Sequence, residues 1–471
     1  MNQCKLFDNI IIHKACFTRR LFAVIMISMK DSVTRALSQY AAHAAVRFHM
    51  PGHKGRGVGR LPFDSALPYD VTELEYTDNL YTPSPNGIFR DEINFLKSLY
   101  GTAATLLTAG GATSAVFAAL AACARRAPGL PVLCDRKAHL SVIHALALLG
   151  LEPIWLDAGT VSRENVGALS KKFENIKFSA VFATSPDYYG QARDIPALAE
   201  LAKTLGAPLI VDNSHGSHLF FYDGGRLHPL RQGANLVIDS IHKTLPALTG
   251  AALLHAANGF SEDELRSALR LAVSTSPSYL ISSSACACLH EMAERGEEAH
   301  AKLFERVARI RDELSALGYT LEPAYDPFRL CISDKNAENL YEFFADRGIV
   351  CEFYDGRTVV LLTSVRNTKE DFECFLSAAR QFVPTPPPPK KPFIFCLPKH
   401  AIPLRDAVMR RSEIVPISCA LGRVAAEPAA PYPPGIPLIV PGEIFDDSTI
   451  GVLSGYGIDF VAVTAEAPRL T

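Results

Sequence analysis

Short apolar runs alternate with longer amphipathic stretches from residue 90 onward. Runs with the length and composition of buried strands lie at Val132–Asp135, Pro153–Asp157, Ala180–Ser185, Leu209–Asp212 and Leu236–Asp239. Segments with a helical period of apolar residues lie before or between them, at 90–99, 115–126, 139–150 and 196–205. Because strands that alternate with helices form a sheet covered on both faces, the pattern predicts an α/β fold with a mostly parallel sheet.

The pattern also predicts how the chain is divided. Residues 29–260 form the large domain, and 261–383 alternate helices with β-type runs as a smaller α/β domain. The proline-rich stretch 384–392 is a stiff linker, and 393–471 form a short C-terminal appendage. In residues 1–28 an apolar run too short to span a bilayer follows two arginines, so we expect a dispensable extension or a misassigned start codon.

Composition narrows the classes of partner. The chain has 471 residues, of which 48% are hydrophobic and 20% charged, and its formal net charge is −2. These values are typical of a globular protein and give no support for nucleic acid or a membrane as a partner. The 11 cysteines lack paired metal spacing, which favours buried thiols in a reducing cytoplasm. His49 and His53 lack an evident third ligand, so no metal is expected.

Polar side chains gather where the predicted strands end. They lie in Asp135–His139, Ser185–Gly190 and Asp212–His218. The carboxyl ends of parallel strands share one edge of a sheet, where ligands of such folds bind. The stretch Asn235–Thr244 belongs with them, because its buried strand gives way to Ser240, His242 and Lys243. A lysine there suits a Schiff base to an aldehyde cofactor, although many lysines after strands are only solvated loop residues.

An anion site is predicted at the start of the helical run Ala115–Arg126. The preceding residues, Thr105–Ser114, supply two glycines and two hydroxyls. Free backbone N–H groups and the helix dipole both favour a phosphate at such a position.

These motifs together resemble the ornithine/lysine/arginine decarboxylase family of pyridoxal-phosphate enzymes, in the short form without a receiver-like wing domain. The likeness covers about residues 30–445. The segments that carry it are Phe48–Gly55, Arg136–Ser141, Asp212–His218, Ser240–Lys243, and Tyr432–Pro437 with Pro441–Glu443. The resemblance implies an aspartate-aminotransferase-like large domain (PLP fold type I), and a homodimer or higher homo-oligomer with shared active sites. Residues 393–471 would be the decarboxylase C-terminal domain.

The resemblance also implies roles for single residues. Lys243 would hold pyridoxal 5′-phosphate covalently, Asp212 would pair with its pyridine nitrogen, and His139 would stack on its ring. Its phosphate would be reached by Ser240, His242, Gly111, Thr113 and Ser114, with the choice between the last two hydroxyls left open. His215 would lie near the α-carbon of the substrate, to orient it or to manage protons.

The chain departs from the family pattern at three positions near these motifs. Ser214 replaces a common alanine, Asn213 replaces a frequent acid, and Asp187 stands where threonine is usual. Serine is still small enough to fit, so we expect these departures to leave cofactor binding intact and to affect the choice of substrate instead.

The reaction implied by the resemblance is decarboxylation of a basic L-amino acid (arginine, lysine or ornithine) to its amine and CO₂, feeding polyamine synthesis. Glu352 resembles a family glutamate placed for the basic tail, and acids within 70–78 are weaker candidates. The alternative for Glu352 is a solvated carboxylate at a strand end.

Two other functions stay open at this point. An aminotransferase or β-eliminating lyase would clamp the α-carboxylate with an arginine, for which Arg366 is a candidate. A non-catalytic paralogue that acts as a binding partner is the third possibility. Retention of Lys243, Asp212 and His139 together argues against it.

Overall fold

The computed structural model describes residues 32–43, 46–57, 59, 62–72, 78–389, 397–430 and 436–465. Several sequence-based expectations lie outside the described residues. They concern the extension 1–28, the acids within 73–77, the end of the linker at 390–392, and Tyr432–Gly435 of the resembling motif.

A seven-stranded sheet is the centre of the fold. Its strands are β1 (Ala104–Thr108), β2 (Val132–Asp135), β3 (Pro153–Leu156), β4 (Ala180–Thr184), β5 (Leu209–Asp212), β6 (Leu236–Asp239) and β7 (Ala252–Ala256). They lie in the order β1-β7-β6-β5-β4-β2-β3. Strands β2 to β6 pair in parallel, whereas β7 is antiparallel to β1 and β6. The mostly parallel sheet predicted from the sequence is therefore confirmed.

All five predicted strands are present, but β1 and β7 were not predicted. Both are five-residue runs buried along their whole length. A short run that is buried on both faces has no alternation of polar and apolar residues, so periodicity alone does not separate it from a buried helix.

Helices cover both faces of the sheet. They are α1 (Ser32–His43), α2 (Ile88–Tyr100), α3 (Gly111–Arg126), α4 (Leu140–Leu149), α5 (Val166–Phe173), α6 (Ile195–Thr204), α7 (Ile241–Thr244) and α8 (Glu262–Leu269). Neighbouring residues of one strand enter opposite cores. Ile210 and Ile238 belong to one apolar cluster, and Val211 and Val237 belong to the other. This alternation is the two-residue period of a strand with both faces buried, and it explains why the strands have continuous apolar sequences.

A second, antiparallel sheet follows the long helix α9 (Tyr279–Ala316). Its strands are β8 (Thr320–Leu321), β9 (Arg329–Ser333), β10 (Phe353–Tyr354) and β11 (Thr358–Leu362), in the order β10-β11-β9-β8. Helices α10 (Ala337–Ala345) and α11 (Lys369–Ala379) accompany it. The alternation of helices and β-type runs expected in this smaller domain is thus present, with β10 only two residues long.

The C-terminal segment (residues 397–430 and 436–465) has its own small core. It contains α12 (Leu404–Met409), β12 (Ser412–Pro416), α13 (Asp447–Gly455) and β13 (Phe460–Thr464), and β12 pairs antiparallel with β13. Its Leu404 and Val440 join the apolar cluster of the large sheet. The segment is thus packed against the large sheet's helices. Among all described residues, no helix has the length and apolar character needed to cross a membrane.

Candidate active site

The carboxyl ends of β2, β4, β5 and β6 and the start of α3 surround a cavity of about 230 Å³. The residues that line it are Gly111, Ala112, Thr113, Lys137, His139, Ser141, Thr184, Asp187, Tyr188, Arg193, Asp212, Ser214, His215, Ser240, His242, Lys243 and Ile436. Eight of the predicted site residues are therefore brought together. Ser114, Glu352 and Arg366 are not part of this lining.

Lys243 lies on α7, a single helical turn that follows β6 directly. Its Nζ is 3.1 Å from Nε2 of His215. The surrounding protein replaces much of the hydration of this amine and lowers its pKa, an effect that the carboxylates of Asp212 and Glu352 offset in part. A lowered pKa increases the neutral fraction of the amine near neutral pH, and the neutral amine is the nucleophile that an aldehyde requires.

His215 is buried beside that amine. Burial lowers its pKa well below the ordinary value, and the neighbouring positive charge of Lys243 lowers it further. The imidazole is consequently neutral at neutral pH, with one nitrogen directed at Lys243. The edge of the Tyr188 ring packs against it, with 4.7 Å between ring centroids. Within the described part of the chain, Nδ1 of His215 has no hydrogen-bond partner.

Asp212 ends β5 and is 4% exposed. Its Oδ1 accepts hydrogen bonds from both the backbone N–H (3.1 Å) and the hydroxyl of Ser214. The serine that departs from the family pattern thus adds a hydroxyl donor that alanine lacks. With Oδ1 occupied in this way, Oδ2 is the oxygen left to accept a hydrogen bond from a ligand N–H.

Asn213 is hydrogen-bonded to an acid on the neighbouring strand. The amide of Asn213 donates to Oδ1 of the fully buried Asp239. Oδ2 of Asp239 accepts from Nε2 of His228 (3.0 Å) and of His255 (3.1 Å). Burial alone would raise the pKa of Asp239, but the two histidines outweigh burial and lower it. This network links the end of β5, which is Asp212, to the end of β6, which is followed by the helical turn that carries Lys243.

His139 caps the start of α4. Its Nδ1 accepts the backbone N–H of Ser141 at 3.2 Å, which leaves the other ring nitrogen to carry the proton of the neutral form. Burial lowers the pKa of His139, and Lys243 adds to the effect, whereas Asp212 opposes it. A neutral, flat ring at this position is suited to stacking against a planar ligand.

The start of α3 supplies the predicted anion site and separates the two candidate hydroxyls. Thr113 lines the cavity. Ser114 is buried, and its Oγ is 2.9 Å from both the carbonyl oxygen of Gly111 and the hydroxyl of Thr108. Gly111, Ala112 and Thr113 line the cavity at the helix start, where backbone N–H groups have no acceptor within the helix, although the N–H of Gly111 donates to the carbonyl of Gly250 at 2.8 Å. Across the cavity, Nδ1–H of His242 donates to the carbonyl of Ala251 at 3.1 Å, and burial lowers the pKa of this histidine.

Glu352 lies beside the cavity although it does not line it. Its carboxylate accepts a hydrogen bond from the hydroxyl of Tyr188, which is a lining residue. Arg366 is exposed and pairs with Glu291 on α9. The structure thus places Glu352 one side chain away from the cavity, whereas Arg366 forms its ion pair outside the cavity lining.

Several lining residues were missed in the sequence. Arg193 is the clearest case, with a side chain only 7% exposed whose Nε donates to Oδ2 of Asp135 at 3.4 Å. Its position three residues after the Ser185–Gly190 turn was the available signal. Ile436 enters the cavity from the C-terminal segment, and nothing in the local sequence indicates that this segment reaches the large sheet.

An amine, a carboxylate, a neutral imidazole and an anion site around one cavity at these strand ends define a pyridoxal-phosphate enzyme of fold type I. The family model for the Orn/Lys/Arg decarboxylase major domain matches residues 32–344, and the model for the C-terminal domain of that family matches residues 391–456. The chain belongs to the ornithine/lysine/arginine decarboxylase family.

Similar proteins support this assignment. The uncharacterized protein YaaO of Bacillus subtilis is 29% identical over 459 residues, which cover 90% of this chain and 94% of that protein. An arginine decarboxylase of the same organism is 26% identical over 465 residues, covering 88% and 91%. The solved lysine decarboxylase LdcF of Francisella novicida shares the fold with a TM-score of 0.76 at 16% identity, covering 97% of this chain and 83% of that one.

The protein is therefore a pyridoxal-phosphate-dependent decarboxylase of basic amino acids. The cavity fits that cofactor, because groups suited to an anion, to an aldehyde and to a protonated nitrogen lie at different parts of its wall. The start of α3 and the hydroxyl of Thr113 lie at one part of it, and the amine of Lys243 and the carboxylate of Asp212 lie at others.

Proposed function

We propose that the chain converts arginine, lysine or ornithine into its amine and CO₂, and that the amine enters polyamine synthesis. The observation that supports this substrate class is the carboxylate of Glu352, held by Tyr188 beside the cavity that contains Lys243. A carboxylate there can accept the cationic end of a basic substrate while the α-amino group is next to the lysine.

The cofactor, when bound, supplies a conjugated ring that takes up the electrons of the bond to the departing carboxylate. Asp212 would accept a hydrogen bond from the pyridine N–H⁺ and keep that nitrogen protonated, since an adjacent anion raises its pKa. His139 would lie flat against the ring. The amides of α3, with Thr113, Ser240 and His242, would hold the phosphate.

Lys243 and His215 would manage the proton that replaces CO₂ on the α-carbon. Their nitrogens are 3.1 Å apart, so a proton held by one is within reach of the other. Both groups have lowered pKa values, which keeps a neutral partner available near neutral pH. Tyr188 packs against His215 and donates to Glu352, so a single side chain orients the proton carrier and the acceptor of the basic tail.

Supplying the loaded enzyme with each basic amino acid tests this function. Release of CO₂ with formation of the matching amine supports it. Formation of a keto acid would support the rival aminotransferase, but Arg366, the candidate carboxylate clamp for that reaction, pairs with Glu291 instead of lining the cavity.

Glu352→Gln is expected to raise KM for the basic substrate by about 10- to 100-fold with a smaller change in kcat, because a hydrogen bond to a charged group contributes about 1.5–3 kcal/mol. Asp355→Asn is the matched control, since Asp355 accepts from the neighbouring Tyr189 (2.6 Å), which, unlike Tyr188, does not line the cavity. Steady-state kinetics of both variants provide the comparison. An unchanged KM in Glu352→Gln would remove this residue from the substrate site.

Thr113→Ala is expected to raise the dissociation constant for pyridoxal phosphate by about 5- to 10-fold, because one hydrogen bond to the phosphate is lost. Pyridoxal, which lacks the phosphate, should bind both forms equally. Ser114→Ala should instead lower the melting temperature with little effect on the cofactor, since its hydroxyl bonds within the protein. Titration of the cofactor-free protein measures these constants, and a larger loss of affinity in Ser114→Ala would reverse the assignment.

We also propose that the enzyme is a cytoplasmic homodimer or higher homo-oligomer. The eight cysteines among the described residues are free thiols and six of them are buried, which suits a reducing compartment. Phe48 and Met50, in a motif that carries the family resemblance, are 95% and 67% exposed, which suits an interface between copies. A monomer in sedimentation experiments with the loaded enzyme would contradict the oligomer.

A further inference from the structure

Arg136 connects the loop after β2 to the C-terminal segment. Its Nη1 donates to the carbonyl of Pro437 at 2.7 Å, and its Nη2 donates to the carbonyl of Leu438 at 3.2 Å. Nη2 also lies 3.1 Å from Oε2 of Glu443. One guanidinium therefore holds three acceptors that all belong to the C-terminal segment. We call these four residues the C-terminal latch.

The latch is buried. The side chains of Arg136 and Glu443 are 8% and 1% exposed. The carboxylate of Glu443 also accepts the backbone N–H of Val440 at 2.9 Å, so it is fixed from two sides. A buried ion pair with these additional hydrogen bonds is strongly destabilised when one partner is removed, because the other charge is left without compensation.

The latch joins two walls of the catalytic cavity. On one side, Lys137 directly follows Arg136, and His139 lies two positions after Lys137. Both Lys137 and His139 line the cavity. On the other side, Pro437 follows Ile436, which is the lining residue contributed by the C-terminal segment. Arg136 and its acceptor Pro437 are thus each the direct sequence neighbour of a lining residue.

We propose that Arg136 is a positioning residue that fixes Ile436 and His139 relative to each other, so that the C-terminal segment forms one wall of the active site. This inference rests on the proposed function, because the wall confines the amino acid substrate. An arginine is required, since its planar fork reaches several acceptors at once whereas a lysine presents a single point charge.

The sequence provides a reporter for the latch that does not depend on activity. Its single tryptophan is Trp155, and the guanidinium of Arg136 lies over the indole ring, 5.0 Å from its centroid. A guanidinium that moves away changes both the polarity around this ring and its accessibility. The emission of Trp155 in the cofactor-free protein therefore reports the state of the latch directly.

Arg136→Lys in the full chain tests the proposal. We expect stronger quenching of Trp155 by acrylamide in the cofactor-free protein, faster release of pyridoxal phosphate from the loaded protein, and a rise in KM of about 10-fold. Arg423→Lys is the matched control. Arg423 pairs with Glu413 and donates to the carbonyl of Thr464 at 3.1 Å, within the C-terminal segment and away from the cavity lining.

The role is overturned if Arg136→Lys lowers the melting temperature as Arg423→Lys does and leaves Trp155 quenching, cofactor release and KM unchanged. Should Arg136→Lys fail to fold, Glu443→Gln keeps the shape of the partner, and the same three readouts decide in the same way. Quenching and cofactor release need no substrate. They would still change if the enzyme acted on a different amino acid, so failure of the latch is distinguishable from failure of the proposed function.

Discussion

Lys243→Ala is expected to lose the covalent cofactor and to reduce turnover by at least about 10³-fold, because the variant lacks the amine that serves as nucleophile and proton carrier. The fold should persist, since the lysine side chain opens on the cavity and adds little to the core. Borohydride reduction followed by mass spectrometry measures the covalent link. The rate of CO₂ release measures turnover.

Lys203→Ala is a suitable control for this variant. Lys203 is an exposed lysine on α6 that does not line the catalytic cavity, so its loss should leave both measurements unchanged. Covalent trapping of the cofactor on a different residue in Lys243→Ala would show that the nucleophile has been misassigned.

Asp212→Asn is expected to reduce kcat by about 10- to 1,000-fold. A neighbouring anion changes a pKa by about 1–3 units, and each unit corresponds to about 1.4 kcal/mol. Asparagine keeps the size of the side chain and can still accept the N–H of Ser214, so the loss is mainly one of charge. The pH dependence of the absorbance of the bound cofactor should shift, because the pyridine nitrogen loses its proton at lower pH.

Ser214→Ala distinguishes the effect of the charge on Asp212 from the effect of its hydrogen bond with Ser214. It removes the hydroxyl that donates to Asp212 and leaves the carboxylate in place, so kcat should fall by only a few-fold. If Asp212→Asn kept the absorbance profile of the parent enzyme while Ser214→Ala changed it, Asp212 would not be the partner of the pyridine nitrogen.

The part of the site that could be predicted follows from sheet topology. Parallel strands bring their carboxyl ends together whatever the details of packing. Asp212 is the last residue of a recognisable strand, His139 and Lys243 come shortly after two others, and all three line one cavity. Their convergence therefore required no knowledge of side-chain contacts.

The sequence could not predict details that depend on the direction of a side chain or on contacts between residues far apart in the chain. Thr113 and Ser114 are adjacent, but successive helical residues differ by about 100° around the axis, so one faces the cavity and the other the interior. The ion pair of Arg366 with Glu291 is a tertiary contact. The approach of Ile436 and Glu443 to the end of β2 likewise depends on how the C-terminal segment packs.

Incubation of the loaded enzyme with carboxyl-¹³C-labelled arginine, lysine or ornithine tests the central claim most directly. The account predicts that one of the three releases ¹³CO₂ in equal amount with its unlabelled amine. It also predicts that Lys243→Ala releases neither. Retention of the label in a keto acid, or no reaction with any of the three, would contradict it.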